Sequence, residues 1–294
     1  MTLDFHLDVP HKWHKHGPYD LHNRKMEFTD VDVDFPRMKE GSLDGGFFAL
    51  YLSDATQDKL GDYESTEAIW RQIIAINSCN LGNDDPEIFL GLEGGRLIHE
   101  NLHQLGMYAR AGVKYLTITH NKNTSWADSA TDKVNIDGIT AFGVEVVREC
   151  EKLGVLVDIS HASDQAAIDI LTASTRPVVA THSGCYALLE HPRNLRDYLI
   201  KMIASSGGVI GVPFARRFVG TKDGIIRHID HICQLTGSCR HAAIGSDLDG
   251  AWMVDEVDGV QNWGAVVLDG LWDADYSDGD IDLIAGGNIM RLIG

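Results

Sequence analysis

The chain has 294 residues, 44% hydrophobic and 23% charged, enough apolar material for a sizeable core. Its formal net charge of −18 repels phosphate backbones and anionic lipid, which argues against nucleic-acid and membrane-surface partners. No apolar run approaches the roughly 20 residues that span a bilayer. Residues 1–10 lack the apolar stretch of a signal peptide, and Cys79, Cys150, Cys185, Cys233 and Cys239 form no C-x-x-C pair. Reduced thiols, mostly filling the core, and a cytoplasmic location are therefore expected.

Eight short segments rich in β-branched or apolar residues recur along the chain, at 2–6, 46–52, 88–92, 114–119, 155–159, 177–180, 208–212 and 242–245. Several are apolar almost throughout, as strands buried on both faces should be. Between most of them lie helix-like stretches at 65–78, 97–109, 141–153, 163–171, 195–205 and 224–235. Gly112, Gly154, Gly207 and Gly237 are placed to close four of these helices, and Ser163 to cap one. Strand and helix alternating in this way predict a single (β/α)8, TIM-like barrel over residues 1–294. Residues 10–42 and 251–279 read as long polar loops after the first and eighth strands, at the rim where a barrel's active site sits. The acidic runs at 30–34 and 273–282 read as solvated loops. The histidine-rich stretch from His11 to His16, with His22, reads as a solvated part of the rim.

Metal-ligating residue types gather at the C-terminal ends of the predicted strands. His6 and Asp8 are two apart on the first strand, so both side chains can reach one cation. Glu93 follows the third strand and precedes Gly94-Gly95. Its two oxygens can bridge two cations, although the residue can equally cap the next helix. His161 and His182 end neighbouring strands, and their imidazoles can meet at a second cation. With no cysteine in the set, the donors suit zinc in a catalytic rather than a structural site. Asp247 follows the eighth strand, placed to take a proton from a metal-bound water. Asp249 shares its direction; the sequence does not separate them, and Asp247 is preferred as nearer the strand end.

The motifs Asp4-Phe-His-Leu-Asp8, Leu92-Glu-Gly-Gly95, Tyr115-Leu-Thr-Ile-Thr-His-Asn121 with Trp126-Ala-Asp128, Val157-Asp-Ile-Ser-His161, Ala180-Thr-His-Ser183, His191-Pro-Arg-Asn194 and Gly245-Ser-Asp-Leu-Asp-Gly250 occur in that order. Jointly they resemble the membrane (renal) dipeptidase family, zinc metallopeptidases of the amidohydrolase-like, metal-dependent hydrolase barrels. The resemblance spans nearly the whole chain. It implies a dipeptidase with two zinc ions per subunit: His6 and Asp8 on one, His161 and His182 on the other, and Glu93 bridging. It implies that Asp247 is the catalytic aspartate, that His120 contacts the substrate beside the scissile carbonyl, and that Arg193 binds the substrate's free carboxylate. His120 as a donor can stabilise an oxyanion, or it can be a structural residue bonded to Asp128 or Asn121. Arg193 offers a planar fork to a carboxylate, or can pair with Glu190 or Asp197. The chain departs from the resemblance at Gly211-Val-Pro-Phe214, where Asn is expected before the aromatic residue; Pro213 removes an amide donor. The secretion signal, lipid anchor and disulfides of membrane-bound relatives are not seen in it.

The resemblance implies attack of a metal-bridging hydroxide on small dipeptides; the sequence leaves open whether L-D dipeptides are taken as well as L-L. The alternative is a related barrel amidohydrolase acting on N-acyl amino acids, lactones or cyclic amides. A metal-binding protein without activity is the rival from a different class. A homodimer is compatible with such a barrel.

Overall fold

We describe a computed structural model that covers residues 1–17, 20–22, 31–79 and 82–294, without the side chains of residues 14 and 15. Among these residues all eight expected strands form: β1 (Leu3–Leu7), β2 (Gly45–Tyr51), β3 (Glu87–Glu93), β4 (Val113–Thr117), β5 (Leu156–Asp158), β6 (Val178–Val179), β7 (Ile210–Val212) and β8 (Ala242–Ile244). The helices are α1 (Val9–His16), α2 (Phe35–Glu40), α3 (Asp54–Gln57), α4 (Asp62–Asn77), α5 (Leu102–Arg110), α6 (Ala141–Leu153), α7 (Asp164–Ala173), α8 (Asp197–Ser205), α9 (Arg216–Val219), α10 (Lys222–Thr236), α11 (Trp263–Asp273), α12 (Asp278–Asp282) and α13 (Asn288–Ile293). No helix among them is long and apolar enough to cross a membrane.

Strands β1 to β6 pair in sequence order as one parallel sheet, and β7 and β8 form a second parallel pair. The seams between the two are narrow. Ala180 bridges to Ile210 on one side and Leu7 to Leu248 on the other, where Asp8 N donates to Leu248 O at 2.9 Å and Asp247 N to His6 O at 3.1 Å. The result is a curled parallel α/β sheet with the helices outside it. Leu3, Phe5, Phe47, Tyr115, Val179, Val209, Ala243 and Ile289 fill the concave side, and a larger apolar layer lies between sheet and helices. The end left open by this inner plug is the one to which the strands deliver their C-terminal residues.

Local signals in the sequence are realised where they are strong. Ser163 accepts a hydrogen bond from Ala166 N at 3.2 Å and caps α7. Gly112, Gly154, Gly207 and Gly237 take φ values of 103°, 70°, 83° and 70°. The helix expected at 97–109 breaks instead. A 3₁₀ turn (Gly95–Ile98) is followed by two left-handed residues, His99 and Glu100, and Asn101 then caps α5.

The two supposed rim loops carry helices. Pro10 opens α1, where its missing N–H costs nothing, and Trp13 anchors that helix in the core. The histidine-rich stretch is therefore largely helical: His11 packs edge-on to Tyr51, and His22 lies 2.9 Å from Asp85. In the first acidic run Asp34 is buried, caps α2 through Arg37 N and pairs with the Arg37 guanidinium at 2.6 Å, so it is no solvated residue. Asp30 lies outside the described residues. In the second loop, Trp263, Val266, Val267 and Leu271 bury one face of α11. Residues 273–282 are mostly exposed, as expected of that run, and include α12.

Candidate active site

The six strand-end residues converge at the open end of the sheet, and all are buried. His6 Nε2 lies 3.4 Å from Asp8 Oδ2 and 3.5 Å from Glu93 Oε1. His161 Nε2 and His182 Nε2 lie 3.3 and 3.6 Å from that same oxygen, and 2.9 Å from each other. Three overlapping groups, His6–Asp8–Glu93, Glu93–His161–His182 and His6–His182–Asp247, each hold their ligand atoms within 4.8 Å of one another. Glu93 does not cap the next turn, whose N-cap is Gly94 with no side-chain bond. His161 and Asp247 sit at φ 71° and 64°, a left-handed conformation that β-strands do not use. That strain is typical of residues aimed by the surrounding structure.

Polar side chains absent from the predicted set hold these donors in place. Tyr115 Oη is 2.8 Å from His6 Nδ1, and Thr181 Oγ1 is 3.0 Å from His182 Nδ1. Asp158 accepts from the Thr117 and Thr181 hydroxyls at 2.7 Å each and from Ser160 N and Thr181 N at 2.9 Å each. Asp4 accepts from His6 N, Ser246 N and Trp263 Nε1, tying the end of β1 to the end of β8 and to α11. Two glycines make room. A Cβ on Gly91 would fall 2.0 Å from the Tyr115 ring, and one on Gly250 would fall 2.1 Å from Asp8 Oδ2 and 2.7 Å from Asp247 Oδ1. The sequence signal for this layer was slight. Asp4 and Asp158 are carboxylates inside otherwise apolar runs, where burial demands hydrogen bonds.

The donor set suits cations. His6 Nε2 is buried and has no hydrogen-bond partner among the described residues. Two donors bound tetrahedrally at about 2.1 Å to one ion are separated by about 3.4 Å, close to the spacings seen here. Burial pushes Asp8 up to about 7, with the charge of Asp249 adding to it. Burial and then the Asp8 charge push Asp247 up to about 8. Glu93 is raised well above the ordinary carboxylate range, by burial first and then by Asp8 and Asp247, against His6. Burial holds His161 and His182 well below the usual imidazole value. Neutral imidazoles beside crowded carboxylates are what a divalent ion binds, and its charge relieves the crowding.

His120 and Arg193 flank this cluster. His120 packs on His161 with ring centroids 4.5 Å apart, and its Nδ1 lies 3.0 Å from Asp54 Oδ2. Asn121 is only 3.4 Å from its other nitrogen, while Asp128 is taken up by the backbone N–H groups of Asn135, Ile136 and Asp137. Asp54, not Asp128, is the carboxylate on His120, and Arg96 braces Asp54 at 3.4 Å. Nothing local in the sequence pairs Asp54 with His120, since 66 positions separate them. Arg193 is buried; its Nη2 donates to His182 O at 3.4 Å and its Nε has no partner among the described residues. It bonds neither Glu190, which accepts from the Tyr186 hydroxyl, nor Asp197, which pairs with His231. Burial brings Arg193 down to about 10, opposed by Asp247 and Glu93, so it stays cationic at neutral pH. Asp249 is drawn away: its Oδ1 accepts from Asp32 N at 2.7 Å. All five cysteines are free, three of them buried.

The sequence model of the membrane dipeptidase family (peptidase family M19) matches residues 1–294. The chain belongs to this family. It is 28% identical to the dipeptidase verJ of Clonostachys rogersoniana, over 99% of the chain and 83% of that protein. The family fold is seen in the crystal structure of the dipeptidase AC, which superposes with a TM-score of 0.88 at 22% identity, over 99% of this chain and 97% of that one. A metallo peptidase from Rhodobacter sphaeroides, liganded with a phosphinate mimic of the dipeptide L-Ala-D-Ala, superposes with a TM-score of 0.86 at 22% identity, over 99% and 98% of the two chains. As a family member the chain is a metal-dependent hydrolase of dipeptides.

Proposed function

We propose that this dipeptidase binds two zinc ions, one held by His6 and Asp8 and one by His161 and His182, with Glu93 shared between them. The observation that carries the reading is the convergence of three imidazole Nε2 atoms on the Glu93 carboxylate at 3.3 to 3.6 Å. The scaffold proposed is one (β/α)8 barrel of a single domain, supported by the parallel pairing and by the bridges at both seams. If their Nε2 atoms held the metals, His6 and His182 would carry the proton on Nδ1. They would donate it to Tyr115 Oη and Thr181 Oγ1, and Thr181 donates in turn to Asp158.

When bound, the zinc pair supplies Lewis acidity and a strong nucleophile near neutral pH. The remaining work belongs to side chains of the chain. Arg193 fixes the substrate through its C-terminal carboxylate, using a fork whose Nε is otherwise unpaired. Asp247, beside His6 and His182 at the end of β8, accepts a proton on the attack side and passes it to the leaving amine. His120 supports the developing oxyanion as a donor. Burial holds its pKa below the usual imidazole value, and the Asp54 carboxylate opposes that shift. Asp54 is thus a positioning residue. Asp54→Asn is expected to lower kcat by about tenfold or more with KM little changed. Activity that needs protonated His120 is lost as pH rises through its pKa. Losing the Asp54 charge lowers that pKa, so the basic limb of the pH profile moves to lower pH. An unmoved limb and an unchanged kcat would remove Asp54 from the mechanism.

The zinc reading is tested by stripping the protein with a chelator and titrating zinc back while following hydrolysis of mixed L-L and L-D dipeptides. Loss on stripping, and recovery that saturates near two zinc ions per chain, is the expected result. The mimic bound to the Rhodobacter sphaeroides relative supports including L-D dipeptides. Full activity in metal-free protein would overturn the reading. Cleavage of N-acyl amino acids or lactones, with none of dipeptides, would favour the related amidohydrolase.

A further inference from the structure

The segment after β7 carries two consecutive arginines that meet different fates. Pro213 has no N–H to continue the ladder, the chain turns into α9, and Arg216 and Arg217 open that helix at the rim of the site. Arg216 is neutralised: its Nη1 lies 2.8 Å from Asp255 Oδ1. Arg217 has no hydrogen bond or ion pair among the described residues; its guanidinium lies over the Phe218 ring, 4.6 Å from the centroid.

Phe218 joins Arg217 to the substrate site. The Arg193 guanidinium carbon lies 5.3 Å from the same ring centroid, so the two distances together limit the separation of the two guanidinium carbons to about 10 Å. The two segments that carry them are held together. Asn194, next to Arg193, donates to Phe218 O at 2.9 Å and accepts from Gly184 N at 3.1 Å, clasping the Arg193 loop to α9. The Arg217 charge reaches the site, where it acts on Asp247, His182 and Arg193.

We propose that Arg217 is a specificity residue that receives a second carboxylate, on the side chain of the substrate's C-terminal residue, so that dipeptides ending in Asp or Glu are preferred. The inference rests on the dipeptidase reading and on Arg193 holding the α-carboxylate. The side chain of that residue leaves from the carbon bearing the α-carboxylate, so a second carboxylate lies only a few bonds from the first. Two guanidinium groups flanking one buried ring match two such carboxylates. A neutral side chain gains nothing from Arg217, and a lysine there meets two cations.

The test is steady-state kinetics of the zinc-loaded enzyme on Ala-Glu against Ala-Gln and Ala-Asp against Ala-Asn. The wild type is expected to favour the acidic member of each pair at least tenfold in kcat/KM. Arg217→Met should lower that ratio at least tenfold and Arg217→Lys should restore part of it; Arg217 is exposed, so neither change threatens folding. A wild-type ratio near one, or a ratio unchanged in Arg217→Met, overturns the proposal and leaves the dipeptidase reading standing. Zinc-loaded enzyme that cleaves none of the four dipeptides overturns both.

Discussion

Glu93→Gln is expected to abolish zinc retention and activity together. Glu93 lies at the end of β3 with three imidazole nitrogens within 3.6 Å of one oxygen. Glutamine keeps the shape but offers one carbonyl oxygen in place of a two-oxygen anion, and its amide hydrogens point positive charge at a cation. Both proposed zinc ions share that ligand, so both should weaken. Metal catalysis supplies several kcal/mol, and about 4 kcal/mol corresponds to about a thousand-fold in rate, so kcat/KM should fall by at least that factor. Zinc content should drop below one ion per chain by elemental analysis. Misfolding would not account for the loss. Burial raises the Glu93 pKa, so the metal-free fold favours the neutral form, and a neutral amide should leave the metal-free Tm equal or higher. A variant that keeps wild-type zinc and activity ends the shared-ligand assignment.

Asp247→Asn separates a proton carrier from a ligand. Asp247 is close enough to His6 and His182 to contribute to a metal site, yet a carboxylate in that place can also take a proton from the attacking nucleophile and release it. If it moves the proton, the variant keeps its zinc while kcat falls about a hundred- to ten-thousand-fold and KM changes little. If it is chiefly a ligand, zinc content falls with activity. The second outcome would return Asp247 to the metal set and leave the reaction without an assigned base.

The candidate ligand residues were legible because each follows an apolar run, and a charged or imidazole side chain there must be paired, bonded or bound to metal. Asp54 was not legible: a carboxylate opening a short helix after β2 reads as an ordinary helix-terminus residue, and only the fold carries it to His120. The broken helix at residues 99–101 was missed for a related reason. Its apolar pattern continues across the break, while two left-handed residues without glycine reverse the chain there. The helices within the supposed rim loops were obscured by acidic and histidine-rich composition, although Pro10 and the Asp34 cap were local signals for them.

By itself the sequence determined the alternation of strand and helix, the order of the candidate metal-ligating residues and the acidic character of the chain. These depend on local periodicity, on side-chain chemistry at strand ends and on charge, all of which are properties of neighbours in the chain. The tertiary structure alone decided that His6, Glu93, His161 and His182 share one small space, that Asp54 rather than Asp128 faces His120, and that Arg217 stands unpaired beside Arg193. Those outcomes depend on how far the sheet curls and on which side chains fill its concave face, and curling a sheet sums many weak packing preferences that no short stretch of sequence records.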